Sequence, residues 1–340
     1  MKTKFDKNAE KFVSLMVEKI ESISTNWEKP WFSNIASKQN FIPQNLSGRL
    51  YSGGNLFMLL MLCEEHNYQT PVFLTFNQAK NENISILKGA VSFPVYHTSF
   101  CAYHRETNEK ISFADYQELT EEEKKDYRLV SYNNYFPVFN LDQTNFSDKF
   151  PERWESLKKK FGLINTPKTD NDCMYENEVL NNMLKNQSWI CRINQVSGDS
   201  AYYSLKNDSI VLPEKSQFKD GESFYCTALH EMGHSTGTHE RLNRKGFYEK
   251  DIHNYGREEL VAEMFAALGG LYLGVTSKIR EENAQYLKSW MQSINEDPKF
   301  LFSVLADTVK AIKLMSEILN INLNFDVLEP TEDKELSKTA

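Results

Sequence analysis

At 340 residues, with 40% hydrophobic and 13% aromatic content, the chain has room for two packed domains of ordinary size. No run of about eighteen apolar residues is present, which argues against a membrane-spanning helix, and the charged start Met1–Lys7 leads into no apolar signal core, so a cytoplasmic protein is expected. The net charge of −8 resides in the second half: residues 161–340 carry 19 Lys+Arg against 27 Asp+Glu, whereas residues 1–160 carry 20 of each. That balance disfavours broad electrostatic attachment to nucleic acid and leaves only a local surface open to it. The cysteines Cys63, Cys101, Cys173, Cys191 and Cys226 are odd in number and unpaired in spacing, as expected of reduced thiols.

In chain order, Phe5, Phe12, Leu15, Met16 and Ile23 recur at near-helical spacing and predict an amphipathic helix over residues 5–24. The aromatic, proline-broken segment Trp27–Phe32 follows, then a turn-rich loop from Leu46 to Asn55 and an apolar helix from Leu56 to His66. Phe73–Lys80 and Gly89–His104 read as strand or strand-and-turn pieces, and Leu129–Leu141 as another strand. Between them, Asp115–Asp126 holds six acids against two lysines and predicts an exposed helix or insert. Pro151–Phe161 is a charged helical piece, and the polar stretch Thr166–Asp172 marks a domain boundary. Ala201–Leu205 and Ser209–Leu212 flank Lys206-Asn207-Asp208 as a hairpin; the strand ahead of the next helix is expected to offer a sheet edge to an extended substrate. Further on, Asn283–Ser293 and Phe300–Leu319 read as amphipathic helices, and the tail from Glu329 as disordered.

The densest chemical signal is His230-Glu231-Met232-Gly233-His234. The preceding segment from Gly221 is free of proline, with Asp220 or Ser223 as its cap and Gly237 beyond its end, so the motif is expected on a helix. Histidines four apart then project from one face and can grip one Zn²⁺ or another divalent ion, with Glu231 placed to take a proton from water. A catalytic zinc needs a third protein ligand. Downstream, Arg257–Leu268 is a helix-forming stretch in which Glu259 and Glu263 share a face amid Leu260, Val261, Met264 and Phe265. One carboxylate can bind the metal while the other accepts a histidine N–H; the reading favours Glu259 as ligand and Glu263 as orienting group, with Glu263 or the His239/Glu240 pair as alternatives. In the first half, Trp27, Lys29, Trp31, Phe32, Arg49, Tyr51, Phe76, Lys80 and Lys88 interleave rings and cations, as a single-strand nucleic-acid surface would, although rings are more often packed in a core.

These segments carry a resemblance. Trp27-Glu28-Lys29-Pro30-Trp31, Asn45–Asn55, Thr75–Ala79 and Lys88-Gly89 are similar to the single-stranded-DNA-binding domain of ArdC-type antirestriction proteins. Ala201-Tyr202-Tyr203, Asp208–Pro213, His230–Gly237, Arg241-Leu242-Asn243-Arg244 and Glu258–Glu263 resemble the zincin-like metallopeptidase domain that accompanies it. The chain departs from the family after Lys88-Gly89, where the continuation is less charged, and in the acidic insert at 115–126. The resemblance implies an α+β protein: an N-terminal α/β single-stranded-DNA-binding domain at 1–162, a mainly helical zincin-like domain with a small sheet at 163–328, and a disordered tail at 329–340. It implies a cytoplasmic protein of a mobile element or plasmid that binds single-stranded DNA through Trp31, Arg49, Tyr51, Asn55 and Lys88. Metal ligands would be His230, His234 and Glu259, with catalysis by Glu231 supported by Glu263, acting on a protein or peptide substrate. The alternatives are a DNA-binding protein with a structural or vestigial zinc, and an ordinary intracellular metallopeptidase.

Overall fold

Two small sheets and a set of helices make up the α+β architecture of the computed structural model. It describes residues 41–162, 175–244, 252–275 and 287–321, together with Phe247, Tyr248 and the isolated positions Ser14, Val17, Glu18, Glu21 and Lys38. Of the N-terminal helix expected at 5–24, Ser14, Val17, Glu18 and Glu21 are helical and the rest lies outside the described residues, as do Trp27–Phe32, the boundary at Thr166–Asp172 and the tail from Glu329.

The N-terminal sheet has the order β1-β2-β5-β3-β4, with β1 at Gln44–Asn45, β2 at Val72–Thr75, β3 at Phe93–His104, β4 at Lys110–Ser112 and β5 at Tyr127–Asn140. The antiparallel pair β3–β5 runs unbroken from Phe93↔Val138 to His104↔Tyr127 and forms its backbone. Helix α1 (Gly53–His66) is buried at every position from Leu56 to Cys63, as an all-round apolar helix must be. The expected strand-and-turn at Phe73–Lys80 resolves into β2 followed by helix α2 (Phe76–Asn81). The switch is local: Thr75 Oγ1 accepts from Gln78 N at 3.2 Å while Gln78 Oε1 accepts from Thr75 N at 2.8 Å, a reciprocal cap that starts a helix. The acidic insert forms two short exposed helices, α3 (Phe113–Glu118) and α4 (Glu121–Lys124), between β4 and β5. A short α5 (Phe146–Lys149) then precedes α6 (Pro151–Lys160), which opens on a proline suited to a first helical turn.

The second half begins with α7 (Glu178–Asn186), capped by Asn177, and a three-stranded sheet of order β6-β8-β7: β6 at Arg192–Val196, β7 at Tyr202–Ser204 and β8 at Ser209–Pro213. The β7–β8 hairpin turns where expected, with Asp208 in the left-handed region at φ 43°. One expectation is corrected here. The strand immediately ahead of the motif helix, β8, is the central strand, paired to β6 and β7, so it has no free edge; the edges are β6 and β7. Among the described residues the helices α8 (Gly221–Ser235), α9 (Ile252–Leu273), α10 (Leu287–Glu296) and α11 (Pro298–Ile318) follow.

One hydrophobic core runs through both halves, and α11 packs against α1 as well as α9. Among the described residues Cys63, Cys101, Cys191 and Cys226 are buried and form no disulfide. No helix among the described residues is long and apolar enough to cross a membrane. Helix α8 starts flush against the chain at Tyr175: a Cβ on Gly221 would lie 2.2 Å from the Tyr175 carbonyl oxygen. Both partners are backbone and cannot yield, so Gly221→Ala is expected to lose about 1–3 kcal/mol or more, measurable by urea unfolding.

Candidate metal centre

Helix α8 is built from its own ends. The Asp220 carboxylate accepts from Ser223 N at 2.7 Å and caps the first turn. At the other end two arginines collect the last carbonyls, which lack helical partners. Arg241 donates to the Ser235 carbonyl and ties it to Asp208 at 2.6 Å in the hairpin turn. Arg244, 3% exposed, donates to the Gly233 carbonyl at 2.9 Å and to Thr236 Oγ1. The return from α8 to Arg244 is a tight turn with Asn243 at φ 44°, its N–H bonded to the Thr238 carbonyl at 2.8 Å.

Helix α9 crosses α8 at two small residues. A Cβ on Gly233 would stand 3.2 Å from Ala262 Cα, so the glycine inside the motif lets the backbones approach. Around this crossing α9 presents Glu258, Glu259 and Glu263, all buried, toward the histidines. His230 Nε2 and His234 Nε2 are 3.0 Å apart, and the Glu259 carboxylate lies 3.3 Å from the first and 3.6 Å from the second. Donors at roughly 2.0–2.1 Å from a tetrahedral zinc stand about 3.3 Å apart, so these separations match the edges of such a site. The three residues offer atoms all within 4.8 Å of one another and form the group of potential metal ligands found among the described residues.

The far side of each imidazole faces a carboxylate, as behind a ligand histidine, with a hydrogen bond formed at His234. His230 Nδ1 faces Glu263 Oε1 at 3.4 Å, and His234 Nδ1 donates to Glu258 Oε1 at 3.2 Å. A proton kept on Nδ1 leaves Nε2 with its lone pair pointing at the shared centre. Two such lone pairs 3.0 Å apart beside a carboxylate call for a cation, so the residues present fit a divalent metal. In the absence of a metal the surrounding carboxylates make both rings basic, so a cation must displace the proton on Nε2. Burial opposes charging His234, yet its hydrogen bonds to Glu258 and Glu259 outweigh it and raise the ring to about 10. His230 is raised too, against its burial, by Glu259 and Glu263. Burial would likewise raise Glu259, but His230 and His234 hold it well below the usual carboxylate range. Glu258, buried as well, is held down by Arg244 and His234.

The alternative ligands lie elsewhere. His239 and Glu240 are exposed, and the His239 ring stacks on Tyr248 at 4.3 Å. Glu231 is 3% exposed on α8 between the two histidines. Sequence pattern alone assigns no role to Glu258 or Arg244. Arg244 Nε donates to Glu258 Oε2 at 2.9 Å and Nη2 reaches Oε1, so one guanidinium grips the carboxylate that orients His234. The available signal was an arginine after the motif and a third glutamate beside the favoured pair.

The nucleic-acid candidates are dispersed. Arg49 and Lys88 are exposed and Asn55 is partly buried, while Tyr51 sits half-buried with its ring edge-on to Phe73 at 6.3 Å. Burial pushes the Tyr51 hydroxyl well above its ordinary range. Trp31 lies outside the described residues. Phe76, at the start of α2, is 59% exposed and available as a ring surface.

A helix bearing His-Glu-x-x-His, crossed by a second helix bearing glutamates, defines a zincin-like protein, and residues 180–307 match the model for a zincin-like metallopeptidase domain. Residues 6–139 match the N-terminal domain of the anti-restriction factor ArdC. The fold is that of the ArdC antirestriction protein from plasmid R388. Its metal-free crystal structure aligns with a TM-score of 0.66 at 23% identity, covering 92% of this chain and 98% of that one. The Mn(II)-bound form aligns with a TM-score of 0.62 at 24% identity, with 92% and 99% covered. Two Escherichia coli DNA primases, both TraC, are 25% and 26% identical over 306 and 304 residues. Those alignments take in 88% and 87% of this chain but 26% and 19% of the primases, so the chain spans about a quarter or less of their length. An uncharacterised protein y4eC of Sinorhizobium fredii is 30% identical over 106 residues, 31% of this chain and 34% of that one. With both domains matched in order, the chain belongs to the ArdC-type antirestriction proteins.

Proposed function

We propose that this is a cytoplasmic antirestriction protein of a mobile element that binds single-stranded DNA through residues 1–162 and carries a zinc-dependent peptidase-like centre within 163–328. The observation that supports it most is the coexistence, in one chain, of the ArdC N-terminal match at 6–139 and the His230–His234–Glu259 cluster. In the first half, Arg49, Asn55, Lys88 and Trp31 would meet the strand, with Tyr51 bracing the loop from behind. In the second, His230, His234 and Glu259 would hold the metal, and Glu263 and Glu258 would fix the two imidazoles. A bound zinc would supply Lewis acidity and lower the pKa of a water it holds to about 7. The Glu231 carboxylate would accept a proton and return it to a leaving amine, a role worth about 10²–10⁴-fold in rate. The protein or peptide acted on would lie across α8 from β6 or β7, the edge strands of that sheet among the described residues.

The test uses the full chain. Labelled single- and double-stranded oligonucleotides are titrated across salt, and peptide-library cleavage is compared between wild type and Glu231→Gln. Preferential single-strand binding and loss of cleavage in the variant support the reading. Cleavage surviving in zinc-loaded Glu231→Gln removes the catalytic role. Single-strand binding with no cleavage by wild type points to a binding protein with a structural metal, and cleavage without DNA binding to an ordinary peptidase.

A further inference from the structure

A cleft of about 310 Å³ opens between the turn at 44–48 and helix α6. From α6 it takes Arg153, Ser156, Leu157 and Lys160, the i, i+3, i+4, i+7 positions of one helix face. The acids of the helix, Glu152 and Glu155, are not among its walls, and Glu155 is paired to Lys158 at 2.6 Å. Among the described residues no carboxylate lines the cleft, although the chain as a whole carries a charge of −8. Both cations are set on rings: the Arg153 guanidinium lies 5.2 Å from the Phe146 ring centre and 5.1 Å from that of Phe150, and Lys160 Nζ lies 4.8 Å from Phe161. Ring faces position a cation while leaving its hydrogen-bond donors for another acceptor. The opposite wall is small and open, with Gly48 at φ 88° and nothing nearer to its Cβ position than Gln44 Oε1 at 3.8 Å. Leu46, Val72 and Leu157 add apolar surface.

Two cations, an apolar wall and a volume at the small end of ligand pockets fit one nucleotide better than a bare anion. We propose that this cleft seats one nucleotide of a single DNA strand, its phosphate on Arg153 and Lys160 and its base against Leu46 and Leu157. The inference rests on the single-strand reading above and deepens it. It assigns strand binding to a helix that lies beyond the ArdC N-terminal match at 6–139 and before the metallopeptidase match at 180–307.

The test is anisotropy of a fluorescein-labelled oligo(dT) 20-mer with the full chain at several salt concentrations. Arg153, Ser156 and Lys160 lie toward solvent, so substitutions there should lower the thermal midpoint only slightly, by the loss of the ring contacts, and leave the protein folded. Arg153→Gln/Lys160→Gln is expected to weaken binding at least about tenfold and to reduce the salt slope by about 0.7 for each phosphate that is no longer neutralised. Ser156→Trp, which fills the cleft without altering charge, is expected to lose about tenfold, and Lys124→Gln/Lys125→Gln in the acidic insert to bind as wild type does. If wild type binds while both cleft variants keep its affinity and slope, the cleft assignment is overturned and the single-strand reading stands. If wild type does not bind the oligonucleotide, both fall.

Discussion

Arg244→Met is expected to cost about 3–5 kcal/mol of folding stability, because it strands a buried carboxylate that the guanidinium neutralises. Arg244 and Glu258 are 3% and 8% exposed, and no solvent can replace the bond from Nε to Oε2 at 2.9 Å. The same change releases Glu258 from its hold on His234 Nδ1 and removes one of the donors to the Gly233 carbonyl at the end of α8. Metal affinity is therefore expected to drop about 10–100-fold, the usual effect of losing an outer partner of a ligand histidine. Urea unfolding and competitive zinc titration read the two effects separately. Glu258→Gln removes the charge that needs the arginine, so the double variant should be less destabilised than the sum of the singles, with a coupling of about 0.5–3 kcal/mol. Strict additivity would mean that the arginine acts only on the end of the helix.

Glu259→Gln and Glu263→Gln should separate ligand from support. In wild type, saturating zinc should stabilise the fold, by about 4 kcal/mol at a thousandfold excess over Kd. Glu259→Gln removes one of three donors and should abolish most of that zinc-dependent rise in Tm. Glu263→Gln keeps all three donors and weakens only the approach at 3.4 Å behind His230, so the rise should persist with about 10–100-fold weaker affinity. The reverse ranking would make Glu263 the ligand. Because the readout is metal binding, it stands whether or not the centre turns over a peptide.

Much of the centre was legible because it is local. The cap at Asp220, the four-residue spacing of His230 and His234, and the same spacing of Glu259 and Glu263 each follow from one helix repeat. Glutamates within an apolar helix signalled burial with a purpose, and all are buried. The first half was less legible. Its rings divide between packing, as with Tyr51 on Phe73, and exposure, as with Phe76, and composition is the same either way.

The sequence by itself determined which side chains share a helix face, where α8 begins, and the two domain signatures in order. Only the tertiary structure decided which faces meet. The approach of Gly233 to Ala262 sets how α9 lies on α8; from that single crossing, Glu259 comes to the pair of Nε2 atoms, Glu263 goes behind His230 and Glu258 behind His234. It also placed β8 at the centre of its sheet and folded Arg244 back into the core. The physical reason is one of range: helical periodicity fixes directions within a few residues, whereas the partner of a buried charge is fixed by how separate elements pack.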